Sequence, residues 1–328
     1  MSKSTYRLAA VENKDDWNAF VEGSPQFTLC SHTAYLDVAV PNYALYFVCK
    51  GQQKKAGVAL VLNADGSQAT SDTLVIYNGI LFNPDPEQKV VRSKAEEYDI
   101  TCFVIEQLTE KYDSLTMALS PEFEDLRPFL WHNYHATDPT EKFNVSLRYT
   151  SYLDISSFFL KNPDPETLLY TQLDNIRQSD LKKANKSQVK FEELNDAAVY
   201  CAMYEKMMTA QDAPPTREKL DRMRQLIDTL VQAGMAKIYA TKSLEGPYSY
   251  ATVFTTFKNK SIYLFGAGDA EFMQRFDGTF CVWEAMRHLS REGISFVDLE
   301  GVNSPQRGAF KLSLGGRLVP YYKVSIGS

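Results

Sequence analysis

Val297-Asp298-Leu299-Glu300-Gly301, followed by Gly308-Ala309-Phe310-Lys311-Leu312-Ser313-Leu314-Gly315-Gly316 and then Pro320-Tyr321-Tyr322-Lys323-Val324, is the most informative stretch of this 328-residue chain. Residues 294–299 read as a strand, because apolar side chains flank Asp298 and alternate around it. Just before it, residues 279–291 read as a helix, with Phe280, Trp283 and Met286 at spacing three and Gly293 in the position of a C-cap. Tyr321 and Tyr322 fall on opposite faces of the last strand, so one packs in the core while the other is free to reach a cleft; the pattern leaves open which.

Working outward, three strands are expected over residues 236–266, the first two turning at Glu245-Gly246-Pro247. Before them lie two helices separated by Ala213-Pro214-Pro215. Earlier still, a helix over 165–185 uses Leu169, Leu173, Ile176 and Leu181. The first half shows strands near 5–10 and 73–82, helices over 14–22 and 31–39, and a hairpin over 44–62 turning at Lys50-Gly51-Gln52. A helix over 92–112, whose Ile100, Phe103, Val104 and Leu108 share a face, leads to a strand at 114–119. Both halves therefore run hairpin, third strand, connecting loop, amphipathic helix, strand. This order implies a tandem duplication of an α/β unit with mixed sheets, divided as residues 1–150 and 151–328. Asn162-Pro163-Asp164-Pro165 supplies a short stiff stretch near the boundary.

Composition narrows the class. The chain carries 35 Lys and Arg against 41 Asp and Glu, for a net −6, with 44% hydrophobic residues. That is enough to fill a large core, and it excludes disordered and collagen-like chains. The halves differ in charge: residues 1–150 hold 13 basic and 20 acidic side chains, and residues 151–328 hold 22 and 21. Cations gather in the second half, at Arg177, Lys182, Lys183, Lys186 and Lys190 and again at Arg307, Lys311, Arg317 and Lys323, so anion binding is expected there. A solvated helix face is the competing reading of the first run. Five dispersed cysteines without a C-x-x-C pair suggest buried thiols. The four histidines, His32, His132, His135 and His288, are scattered, and no metal is expected. No apolar run of membrane-spanning length and no signal-like start is visible, which points to a cytoplasmic protein. Nucleophile-elbow, zinc-protease and P-loop signatures are all missing from the sequence.

The closing stretch resembles the signature of GNAT-fold acyltransferases of the FemAB/FemX-like type, in which a strand ending in D-x-x-G precedes F-K-x-x-x-G-G and a final P-Y-Y strand. Ile176-Arg177-Gln178-Ser179-Asp180-Leu181-Lys182-Lys183 resembles that family's basic helix, and Trp17-Asn18-Ala19-Phe20-Val21 with Ser24-Pro25 resembles its opening. The resemblance implies two tandem GNAT-like subdomains and direct transfer of an acyl or aminoacyl group to an amine, with a place in cell-wall or cell-envelope precursor synthesis. The transfer site would lie where two parallel strands part, at the ends of 261–266 and 294–299. It implies acyl-CoA or aminoacyl-tRNA as donor and a small-molecule or peptide amine as acceptor, with tRNA a possible partner and neither DNA nor a metal required. A FemX-like peptidoglycan-precursor ligase and a non-catalytic ligand-binding relative are the alternatives.

Residue roles follow from that likeness. Lys311 would stabilise the oxyanion. Glu300 would act as general base if burial raises its pKa, and Asp298 is either an acid near the amine or a structural acceptor for loop 301–304. One of Tyr322 and Tyr321 would donate a proton or a hydrogen bond. Phe310, Arg177, Lys182 and Lys183 would bind substrate, and Gly266, Gly268, Gly278 and Thr279 would meet a cofactor. The loop 266–278 departs from the usual pyrophosphate loop in its length and its two acids. A monomer or weak dimer is expected.

Overall fold

The computed structural model describes residues 6–159, 168–242 and 246–327. The chain divides into two units: Met1–Arg148 with Pro320–Ser328, and Tyr149–Val319.

The first unit begins with β1 (Tyr6–Ala10), α1 (Lys14–Glu22) and α2 (Thr33–Ala39), followed by β2 (Tyr43–Lys50), β3 (Gln53–Leu62), β4 (Ala69–Thr70) and β5 (Gly79–Phe82). Then come α3 (Val90–Lys111), β6 (Leu115–Ala118) and α4 (Arg127–Trp131). α1 starts at Asn13, whose side chain accepts the N–H groups of Asp15 and Asp16. β2 and β3 form the expected hairpin, and Gly51 at φ +59° supplies its turn. α3 buries Ile100, Phe103, Val104, Ile105 and Leu108 against Val48, Val58, Leu60, Leu115 and Met117. Each such aliphatic side chain contributes about 1.5–3 kcal/mol by leaving water. The expected strand at 73–82 is shorter than predicted: the Asp72 side chain and carbonyl accept the N–H groups of Leu74 and Val75, folding that part into a turn. Next to the resulting β5, Asn78 brackets Ala118, its N–H donating to the carbonyl at 2.7 Å and its Oδ1 accepting the N–H at 2.6 Å.

The chain passes between the units inside β7 (Asn144–Asp154), which the sequence reading did not foresee. The second unit continues with α5 (Leu168–Gln172), α6 (Asn175–Lys186), β8 (Lys190–Leu194), α7 (Ala197–Thr209) and α8 (Arg217–Gln232). After these come β9 (Ala236–Lys242), β10 (Tyr248–Thr255), β11 (Lys260–Gly268), α9 (Asp277–Arg291), β12 (Phe296–Asp298) and α10 (Pro305–Leu312). β13 (Arg317–Ile326) carries the chain back, and its residues from Lys323 to Ile326 pair antiparallel with β6 in the first unit. The single helix expected over 165–185 is two, because Asp174 caps α6 by accepting the Ile176 N–H at 2.6 Å. The stretch Asn162–Pro165 and Glu245 lie outside the described residues.

The second unit's strands run β7, β12, β11, β10, β9, β8. Every neighbour pair is antiparallel except β11 and β12. That parallel pairing covers Lys260 with Phe296, Ser261 with Val297 and Ile262 with Asp298, and then stops, while β11 runs on to Gly268 beside β10 alone. α9 packs Cys281, Val282, Ala285, Met286 and Leu289 into the core beneath. Among the described residues no helix is long and apolar enough to cross a membrane.

Candidate active site

Where β11 and β12 part, backbone groups past Ile262 and Asp298 lose their parallel partner, and the side chains of Lys311, Glu300 and Tyr263 meet there. Lys311, the last basic residue of α10, is almost fully buried and donates to Glu300 Oε2 at 2.7 Å. Its Nζ also stands 5.4 Å from the centroid of the Tyr263 ring. Glu300 lies two residues beyond β12, and Tyr263 is the first residue of β11 past the paired segment. The Lys311–Glu300 contact is a charge-assisted hydrogen bond that sets a cationic donor beside a carboxylate acceptor.

β11 bulges beside this point: Val253 faces Phe265 and Phe254 faces Tyr263, so Leu264 is an extra residue. Tyr263 pairs with Tyr250, hydroxyl to hydroxyl at 2.8 Å. Burial pushes the Tyr263 phenol up to about 12 and raises Tyr250 too, so both stay neutral at physiological pH. The pair crosses over Gly266, where a Cβ would lie 2.1 Å from the Tyr263 oxygen. Gly278 makes room for the Tyr250 ring, and Gly268 for the Met273 sulfur.

Asp298 is buried, and its Oδ1 accepts the Glu300 N–H at 2.8 Å and a short hydrogen bond from the Thr150 hydroxyl. Arg177 forms a second cluster. Its Nη1 donates to Asp180 Oδ2 at 2.9 Å and to Thr279 Oγ1 at 2.6 Å, and Thr279 donates to the same carboxylate. The guanidinium also lies 5.2 Å from the centroid of Phe310, the residue before Lys311, while its buried Nε has no hydrogen-bond partner among the described residues.

The structure therefore brings Lys311 to Glu300, Glu300 to Asp298, and Arg177 to Phe310 and Thr279. Lys182 and Lys183 are exposed on α6, whereas Asp180, Leu181 and Ala184 of the same helix are buried. Tyr321 and Tyr322 belong to the first unit, where Tyr321 is buried edge-on to Tyr77 at 5.2 Å and the Tyr322 carbonyl accepts the Leu119 N–H. Thr150, Tyr250, Tyr263 and Asp180 escaped the sequence reading. Only Asp180 stood in a noted motif, and the others reach the site through strand pairings far apart in the chain. No group of three His, Cys, Asp or Glu among the described residues is placed to hold a metal ion.

With this geometry in place, residues 173–311 match the family described as Acetyltransferase (GNAT) domain. That similarity falls within the second unit. The GNAT match spans α6 through Lys311 and so contains most of the charged cluster. Similar solved structures show the same fold across the chain. FemX superposes with a TM-score of 0.64 at 13% identity, covering 96% of each chain. A tandem GNAT protein from the clavulanic acid biosynthesis pathway gives 0.56 at 13% identity, covering 98% of each. L-PGS from Bacillus licheniformis gives 0.58 at 8% identity, covering 98% of this chain and 94% of that one. No curated protein matches the sequence. The chain is thus a mixed α/β protein with a FemX-like tandem GNAT fold, and its enzyme class is acyltransferase.

Proposed function

We propose that the protein transfers an acyl group from an activated ester to a primary amine at the parting of β11 and β12, on a precursor of the cell envelope. The Lys311–Glu300 pair carries this reading. The neutral amine attacks the donor carbonyl, and the new C–N bond leaves negative charge on the carbonyl oxygen. The Lys311 ammonium, fixed before the reaction begins, stabilises that oxyanion. Glu300 takes the proton released by the attacking nitrogen, and collapse of the adduct expels the donor's oxygen or sulfur leaving group. Arg177, with an unused Nε and a ring beneath its guanidinium, is suited to an anionic part of the substrate.

The start of α9 favours an aminoacyl ester of tRNA over a coenzyme A thioester. Asp277 opens that helix as a buried residue, its Oδ2 accepting the Gln274 N–H at 2.9 Å, and a diphosphate at this end would meet that carboxylate. Gly266 and Gly278 are already filled by tyrosine side chains, and Thr279 is held by Arg177 and Asp180. The acetyltransferase family match favours the coenzyme A reading, which stands as the second.

Thermal melts with acetyl-coenzyme A, a longer acyl-coenzyme A, charged tRNA and a UDP-linked muropeptide separate the two at low and high salt. Stabilisation by tRNA that falls steeply with salt supports the first. Stabilisation by a coenzyme A ester that persists in salt supports the second and overturns the first. A ligand at about 100 times its dissociation constant adds about 2.7 kcal/mol, a shift well within reach of a melt.

A further inference from the structure

Glu300 holds a backbone conformation that its residue type does not favour. Its φ is +61°, in the left-handed region where glycine is at ease. The other non-glycine residues with positive φ among those described, Asn133, Gln188, Asp212 and Lys258, all stand exposed on turns. Glu300 alone among them is partly buried, and it lies two residues beyond β12. A glycine would satisfy this backbone, so a glutamate held there implies that its side chain is wanted and that something else enforces the strain.

The neighbouring contacts identify what enforces it. Asp298 Oδ1 accepts the Glu300 N–H two residues on, closing an Asx turn, and the buried Thr150 hydroxyl on β7 donates to the same oxygen. The surrounding loop is tied to β7 beyond the regular ladder. Leu299 N–H donates to Ser151 O at 2.9 Å and Val302 N–H to Tyr149 O at 3.0 Å, while the Asn303 side chain bonds both the N–H and the carbonyl of Tyr149. On the other side Gly308 lets α10 press against the loop: a Cβ there would sit 2.7 Å from the Val302 carbonyl oxygen. Lys311 lies one turn further along α10.

The geometry points to Asp298 and Thr150 as positioning residues that hold Glu300 in its left-handed conformation and so aim its carboxylate at Lys311. The consequence for catalysis rests on the transfer reading above, while the clamp itself does not. Without the Asx turn the Glu300 backbone returns to the extended region, its side chain turns away, and Lys311 loses its partner.

Two readouts on the intact chain test this. In the transfer assay, Asp298→Ala lowers kcat about 100-fold and Thr150→Val about 10-fold, the scale expected when a reacting group is displaced by about 1 Å. KM for donor and acceptor stays within about twofold, because both substrates still bind. Thr150→Ser, which keeps the hydroxyl, restores the wild-type rate. Independently of turnover, labelling of Lys311 by an amine-reactive reagent, followed by mass spectrometry of its peptide, speeds up several-fold in Thr150→Val and not in Thr150→Ser. Unchanged kcat per folded molecule with only a lower melting temperature would overturn the inference, as would unchanged labelling. Should Asp298→Ala not fold, the Thr150 pair carries the test. Faster labelling of Lys311 in a protein that transfers no acyl group from any donor would uphold the clamp and remove the transfer reading.

Discussion

The two units spend the same layout differently. In the first, β4 pairs in parallel with β6, the strand after the long helix, and Asn78 just before β5 also joins β6, binding Ala118 through both its backbone and its side chain. Gly79 beside it, at φ +104°, lies against Leu119 and Met117, both fully buried. In the second, β11 and β12 stop pairing at Ile262 and Asp298, and a lysine, a glutamate and a tyrosine occupy the parting. A repeated fold can fill the seam between two strands with apolar side chains in one copy and leave it to charged groups in the other. Burial of Met117 and Leu119 yields stability directly, whereas burial of Lys311 is tolerated only because Glu300 pairs with it.

That contrast breaks most visibly at Lys311. Lys311→Ala is expected to lower kcat/KM about 100- to 1,000-fold, as losing a preorganised oxyanion donor does, while leaving the melting temperature of the first unit unmoved. An activity loss below about threefold would remove the lysine from the chemistry.

Glu300 sharpens it next. Glu300→Gln is expected to cost about 100-fold in kcat through loss of a proton acceptor. Glu300→Gly should lose as much activity and melt lower, since the left-handed strain of about 1 kcal/mol that glycine relieves is smaller than the cost of leaving the buried Lys311 ammonium without its carboxylate. A higher melting point for the glycine variant would show that the backbone strain costs more than the ion pair contributes.

In the first unit the expected pattern inverts. A Cβ at Gly79 would sit 2.9 Å from Leu119 Cδ2 on a backbone that disfavours it, so Gly79→Ala should destabilise by about 1–3 kcal/mol and leave kcat per folded molecule as it was. Calorimetry with a parallel activity assay checks both halves of that statement.

The smallest effect concerns His32. Burial holds its pKa below 6.5 although Glu22 opposes the shift, and its neutral Nδ1 caps α2 by accepting the Ala34 N–H. The unfolded chain takes up the proton first, so this contribution is present above about pH 6.5 and is lost as pH falls below it. Replacing His32 with Asn, another good cap, should flatten that part of the stability-against-pH curve by under about 1 kcal/mol.

Much of this architecture was readable in the residues. The turn at Gly51, the stripe of Ile100, Phe103, Val104 and Leu108, and the Gly293 stop after α9 each come from local rules, and each appears where expected. The motif around Lys311 also drew attention to Glu300 and Asp298. β7 was missed, and Thr150 with it, because its fit beside β12 depends on residues about 150 positions away. The predicted 165–185 helix was broken by Asp174, whose capping side chain won over the continuing apolar spacing. Tyr263 carries no local signal at all; its place is set by where a parallel pairing ends.

The return of β13 to the first unit sets an order for synthesis. The second unit is contiguous from Tyr149 to Val319, but the first still lacks the stretch from Pro320 on, in which Lys323–Ile326 pair with β6. At about 5–20 residues per second a ribosome needs roughly 10–30 s to make the intervening stretch. During that interval β6 waits with an open edge, so a stop codon just before Pro320 would strand the N-terminal unit while sparing the second one.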